Sequence, residues 1–446
     1  MTISSRSAIL TLLLAGGMAP VASASGFQLR EQSPSAQGNA FAGVSAGGAD
    51  ISSMFFNPAT MTKFATSEIL AGVSVVSPRT KLTNGQASPA SGSYPAAPTS
   101  TDNACSPSPL PNLYAMWSLS PDLRLGFSVN ASFGMGTEYD SDFIGRYHAL
   151  KSDLQVLDFA PSVAYRVNAQ WSVGAAFVAR RTQAELTNAV DFGTILGVGA
   201  GLLDGKASLE GTKWSYGYRL GLTWQPTENL RMGLGYQSAV KVKLKGDASF
   251  ELPALSSGTT AYLQGVAGFQ DNRIAAEVDL PSTISLGFDY KLEKDVSFQA
   301  EVAYTDWSSF KELKIEFLDN MAAGRTLQDS TTEEKWNDTW FVAVGITWKA
   351  REAWTFKLGG AMDQGATNDS YRTPRIPDAD RKWVSCGVGY AFSKHLGLDA
   401  AYTHIFVDKG QLALTVAGVD NGTRGNLSGT FNSSIDIFSA SLRCTF

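Results

Sequence analysis

The sequence predicts an all-β protein: a fourteen-stranded antiparallel transmembrane β-barrel with a small N-terminal hatch, or plug, inside its lumen. Three observations predict it. Long stretches alternate apolar and polar residues with a period of two. Short connections alternate with long ones along the chain. The final stretch is amphipathic and ends on an aromatic residue, Phe446.

The chain opens as an export leader. Arg6 precedes an apolar run, Ala8 to Gly17, and Ala22-Ser23-Ala24 is a small-x-small cleavage site, so residues 1–24 read as a signal peptide. No later apolar run reaches the ~20 residues of a spanning helix. Residues 25–65 are rich in small residues and alternate poorly, which suits a compact segment that needs a host; this is the expected plug.

Residues 66–446 carry the strands. In Val296 to Tyr304 the apolar set is Val296, Phe298, Ala300, Val302 and Tyr304, and a two-residue period means strand. Trp214 to Trp224 and Leu230 to Leu244 repeat the pattern, the latter with one apolar face from Leu230 to Leu244 and lysines opposite. Long strands, aromatics near their ends and a small, polar second face are what lipid outside and a polar lumen inside require. Six short turns (near 121, 169, 227, 293, 351 and 394) alternate with seven longer loops (about 84–110, 135–150, 186–210, 251–272, 318–334, 367–380 and 408–429), so thirteen connections join an even number of strands. The three cysteines, Cys105, Cys386 and Cys444, are too sparse for a disulfide framework.

Composition excludes several classes. A net charge of −5 with 17% charged residues does not suit nucleic acid. No Gly-x-Ser-x-Gly, HExxH or metal-spaced cysteine and histidine set is present, so no catalytic residue, metal or cofactor is expected.

Specific blocks sit on this frame: Ser25-Gly26-Phe27-Gln28-Leu29, Asn57-Pro58-Ala59, Gly145-Arg146-Tyr147-His148-Ala149, Tyr304 to Phe310 followed by Leu313-Lys314, and Ile376-Pro377-Asp378-Ala379-Asp380-Arg381 before Trp383. In this order, behind a leader and a plug, they resemble the FadL family of transporters, which take long-chain fatty acids or other hydrophobic compounds across the outer membrane. The resemblance implies a monomer in the outer membrane of a Gram-negative bacterium, in contact with lipid and lipopolysaccharide. It implies passive uptake: capture at a groove near the third and fourth long loops, an internal pocket, hatch movement, and sideways release at a kink in the third strand. Long-chain fatty acid is the leading cargo. Uncharged aromatic hydrocarbons are the alternative, and a general porin is a third.

Candidate residues follow. Asn57, Pro58 and Ala59 are either a hatch hinge or an ordinary turn. Gly134 and Gly136 fit a lateral gap. Phe192, Leu196 and Leu202 belong to an apolar patch in the third loop, a capture groove or loop packing. Lys314 matches a family cation near the cargo's carboxylate. The apolar phase flips before it, and a bulge near Ser308-Ser309 would return Lys314 to the lumen; otherwise it is a solvated strand end. Arg180 points into the lumen by alternation, to meet a carboxylate or to pair with Glu301 or Asp289. Lys241, Lys243 and Lys245 share what reads as the lumen face.

Overall fold

The structure is a computed structural model that describes residues 25–446. The expected leader, residues 1–24, lies outside the described residues. One closed antiparallel sheet forms the wall. Its strands are β1 (Glu68–Ser88), β2 (Ser108–Ser118), β3 (Leu123–Glu138), β4 (Lys151–Arg166), β5 (Trp171–Asp191), β6 (Asp204–Trp224), β7 (Leu230–Gln237 and Val240–Glu251), β8 (Asn272–Leu280 and Thr283–Lys291), β9 (Val296–Thr305 and Glu312–Phe317), β10 (Ser330–Glu333 and Thr339–Lys349), β11 (Trp354–Asp363), β12 (Arg381–Ala391), β13 (Leu396–Val407 and Gly410–Leu414) and β14 (Asn426–Thr445). β14 pairs with β13 and with β1, from Glu68↔Thr445 to Ser88↔Asn426, which closes the barrel. The fourteen strands match the expected number, and closure leaves neither terminal strand as a free edge.

Lipid shapes the outer face. In β10, Trp340, Val342, Val344, Ile346 and Trp348 all point outward, with a tryptophan at each end of the apolar row. That is the aromatic girdle and greasy band of a membrane barrel. Cys386 and Cys444 are exposed on the same outer surface, whereas Cys105 is buried.

Above the band the polarity inverts, and two expectations fail there. In β7 the irregular pair Ser238-Ala239 switches the inward parity from odd to even positions. Val240, Val242 and Leu244 therefore face the lumen, while Lys241 and Lys243 stand out in water with side chains 72% and 71% exposed; Lys245 is exposed too. In β9 a 3-10 turn, Trp307–Ser309, interrupts the strand without changing its inward parity. Ile315 and Phe317 turn inward, and Lys314 points outward, ion-paired at 3.1 Å with both Glu316 and Asp329. The alternation was read correctly, but outside the membrane the apolar side is the inner one, because water lies without and a cavity within. The bulge that would return Lys314 to the lumen is not there, and Lys314 is the solvated strand end that the sequence offered as its other reading.

The N-terminal residues pack against the lumen faces of the strands. Two short helices, α1 (Pro34–Gln37) and α2 (Val44–Gly47), precede 3-10 turns at Ile51–Phe55 and Pro58–Lys63. Three of the four starts are capped: Ser33, Asp50 and Asn57 accept backbone N–H groups, two of them ahead of a proline at the first helical position. Glu301 on β9 accepts from the backbone and hydroxyl of Ser45, and Lys357 and Asp399 both bond Ser35. Small residues thus let the backbone lie close to the wall.

Replacing Val344 by Arg puts a charge between the two tryptophan girdles, and it should cost about 2–4 kcal/mol. Reversible urea unfolding in lipid vesicles would measure it; a change near zero would mean that this face does not meet the bilayer core.

Candidate functional site

An apolar cavity lies above the N-terminal segment. Its floor is made by the first described residues. Gly26 has φ +60°, and a Cβ there would come within 2.4 Å of Trp336 and 2.8 Å of Trp307. Only glycine passes between the two indoles in that conformation. Phe27 then inserts among Phe133, Trp307, Phe310 and Trp336, with its ring centroid 4.8 Å from Trp307 in an edge-on contact. The walls are the inverted upper strands: Leu154, Leu186, Leu209, Leu244, Ile274, Val278, Ile315 and, from the sixth loop, Ile376. The open space is only about 60 Å³, room for a few waters. A long acyl chain fits only if Phe27 or the loops shift.

Two buried ionisable side chains line this cavity, Arg375 and Glu334. Arg375 is buried, and its Nη1 donates to the carbonyl of Lys151 and to Ser152 Oγ. Glu334 Oε2 accepts from the Trp336 indole at 2.8 Å. Burial holds the Glu334 carboxyl up at about 8 and draws the Arg375 guanidinium down to about 10. Sequence reasoning missed both. Arg375 directly precedes the Ile376-Pro377-Asp378 block, yet nothing in the alternation of strands places a loop residue over the lumen.

The mouth is greasy. The third loop's apolar patch divides into a buried and an exposed part. Phe192 is fully buried against Phe269, Leu263 and Ala267 of the fourth loop, Leu196 is half-buried, and Leu202 is 63% exposed. A helix at Ser257–Tyr262, capped by Ser256, and the turn after it bring Tyr262 and Val266 to the exposed surface. The two loops therefore share one apolar cluster whose outer members remain in water. The fourth loop's share was legible as Ala261-Tyr262-Leu263 but hidden by the polar residues around it.

Below the cavity the wall is incomplete. β2 pairs with β3 only as far as Asn112↔Asn130. The β3–β4 ladder carries a bulge between Ala131 and Phe133. Here the N-terminal segment takes over the pairing: Leu29 N–H donates to Ser132 O, and Gly134 N–H donates to Phe27 O, 2.9 Å. Gly134 lies beside the break, and Gly136 two residues further lines a small cavity next to it.

Arg180 points into the lumen as expected, but its partner differs. It grips Asp158 with two bonds, 2.7 and 2.9 Å, and Arg219 binds the same carboxylate at 2.6 Å. All three are buried, and Nη1 of each arginine lacks a partner. Glu301 and Asp289, the expected partners, bind Ser45 and Lys63 instead. The clamp leaves one net positive charge, and Arg180 lies 4.9 Å from the ring of Phe133 at the break.

Asn57, Pro58 and Ala59 dock the segment to the wall at β5 and β6. Asn57 Nδ2 donates to Ser45 O within the segment and to Leu222 O of β6, 3.0 Å. A Cβ on Gly221 would sit 1.9 Å from Asn57 Oδ1, and one on Gly174 would sit 2.4 Å from Ala59 N. Beneath the segment lies a polar cavity of about 840 Å³, lined by Lys63, Arg166, Arg231, Asp289, Lys349 and others, open toward the short-turn side.

A lipid-facing barrel filled by its own N-terminus, with an apolar cavity above the filling, defines the protein as an outer-membrane transport barrel. Residues 16–446 match the family described as outer membrane protein transport protein (OMPP1/FadL/TodX), and the chain belongs to that family. It is 30% identical over 404 residues to a long-chain fatty acid transport protein of Escherichia coli, covering 85% of this chain and 86% of that one. The crystal structure of a Pseudomonas aeruginosa FadL homologue superposes with a TM-score of 0.85 at 25% identity, over 95% of this chain and all of that one. The toluene transporter of Ralstonia pickettii shares the fold, with a TM-score of 0.65 at 20% identity over 94% and 99% of the two chains. The chain is thus an outer-membrane protein, as its lipid-facing band requires.

Gly221→Val should drive Asn57 off the wall and unseat the segment. In a planar bilayer the variant should pass a steady ion current well above that of the unaltered chain; equal currents would mean that this docking does not hold the lumen shut.

Proposed function

We propose that this chain is a passive channel for the uptake of long-chain fatty acids. The observation that carries the reading is the apolar cavity: it lies beneath a greasy mouth, holds a buried arginine, and ends beside the unpaired stretch of β3. The exposed residues of the third and fourth loops, Leu202 among them, form the capture groove, and the cargo passes inward over Phe192 and Leu196. Residues 25–65 act as the hatch. The Asn57–Ala59 turn anchors that hatch and sets the pivot about which its first residues move. The straight route below leads into a polar, charged vestibule where an acyl chain gains nothing. Sideways release past Gly134 and Gly136 keeps the chain in apolar surroundings until it reaches lipid. Arg180 and Arg219, sharing one carboxylate, give the inner side of that break a positive charge that favours an acid over a neutral hydrocarbon. The barrel works as a monomer, since the hatch, cavity and break all lie within one chain, and its role is passage rather than catalysis.

Expression in a bacterium lacking its own outer-membrane fatty-acid transporter, with oleate as sole carbon source, should restore growth. No growth, with the barrel shown to be folded in the outer membrane, would reject the fatty-acid reading in favour of uncharged hydrocarbons, for which toluene uptake by the same cells is the measurement.

A further inference from the structure

Lys314, the cation that the sequence offers for the cargo's head, is outside the barrel and already paired with two carboxylates. Inside the cavity a different cation waits. Arg375 is 8% exposed, lines the cavity, and sends its hydrogen bonds only to uncharged oxygens, those of Lys151, Ser152, Thr187 and Asn188. No carboxylate of the described residues ion-pairs with it. An arginine stays protonated in a protein, so this site carries a buried positive charge that nothing balances.

The neighbouring groups add to that charge. Arg424, from the seventh loop, is partly buried and bonds the hydroxyls of Ser330 and Thr332; burial, aided by the fields of Arg424 and Arg375, holds the nearby His148 neutral. Glu334 is the one carboxyl buried in the cavity wall, and its burial keeps it protonated at neutral pH, hydrogen-bonded to an indole rather than ion-paired. Asp153, Glu210 and Lys245 reach the cavity at its rim, where they are partly or fully open to water.

We propose that Arg375 anchors the carboxylate of the cargo, setting the head of the molecule at the loop-covered end of the cavity and its tail along Leu154, Leu244, Val278 and Ile315 toward Phe27. The proposal rests on the fatty-acid reading. A guanidinium offers a carboxylate two parallel donors in fixed geometry, and in apolar surroundings such a charge-assisted pair is strong. Its neutral acceptors keep the group in place while leaving its charge free for an incoming anion. An ester or hydrocarbon of the same length would fill the tail site and gain nothing from Arg375, so the residue acts on specificity rather than on capacity.

The test is equilibrium binding of oleate and of methyl oleate to the purified full-length barrel in detergent, for the unaltered chain, Arg375→Met and Arg375→Lys. Arg375→Met should bind oleate roughly tenfold or more weaker, bind methyl oleate as the unaltered chain does, and regain part of the loss as Arg375→Lys. Oleate affinity unchanged in Arg375→Met would overturn the anchor while leaving the fatty-acid reading intact. Equal loss for acid and ester would also overturn it, since that is the mark of a collapsed cavity. An unaltered chain that binds methyl oleate but not oleate would overturn the fatty-acid reading itself, and the anchor with it.

Discussion

Lipid offers a peptide group no hydrogen-bond partner, and every feature of this fold answers that constraint. It forces the sheet to close on itself, β1 on β14, so that each strand pairs with a neighbour on both sides. A channel that releases a greasy molecule into lipid must nevertheless open its wall somewhere. The wall is left incomplete between β2 and β3, above Asn130, and the backbone groups exposed there are met by Phe27 and Leu29 from within. The N-terminal segment is therefore more than filler. It completes the ladder where the strands do not.

The same constraint explains where the sequence was legible. Between the girdles, apolar means outward, so strand number, turn positions and the faces of Val344 or Phe298 follow from a two-residue period. Above the girdles water replaces lipid and a cavity replaces the wet lumen, so apolar means inward. The lumen placements of Lys241, Lys243 and Lys314 failed for that single reason, and the same inversion builds the cavity wall from Leu244, Val278 and Ile315. A sequence pattern reports contrast between two faces; it does not report which face is wet.

Partners across the lumen are harder to see than faces. Arg180 was placed inward by parity, yet its carboxylate was missed. The signal existed: Asp158 and Arg180 are each eleven residues from Ala169 at the tip of their short turn, so an unshifted hairpin sets them opposite one another, as the register shows. Contacts between the N-terminal segment and the wall had no such rule behind them. Gly221 and Gly174 are small because Asn57 and Ala59 lie on them, and nothing within either strand announces that neighbour. Arg375 was illegible for a related reason, since loops carry no period to extrapolate.

Cavity and wall are joined through one residue. The ring of Phe27 is the floor of the apolar cavity, and its carbonyl accepts from Gly134 in the incomplete wall. A chain entering a space of about 60 Å³ must displace something, and Phe27 is among the wall members not fixed within a strand. In the proposed route, a shift of Phe27 that carries its backbone along takes from the β3 groups their partner at the moment when an apolar molecule stands ready to cover them. Filling the cavity and opening the wall thus draw on the same free energy, and what one gains the other shares. No external energy source enters this coupling; the burial of the cargo's own apolar surface drives it. In the proposed route, the break that Phe27 closes becomes available when the cavity is filled, which would let a membrane protein keep a gap in its wall without leaving the backbone bare to lipid.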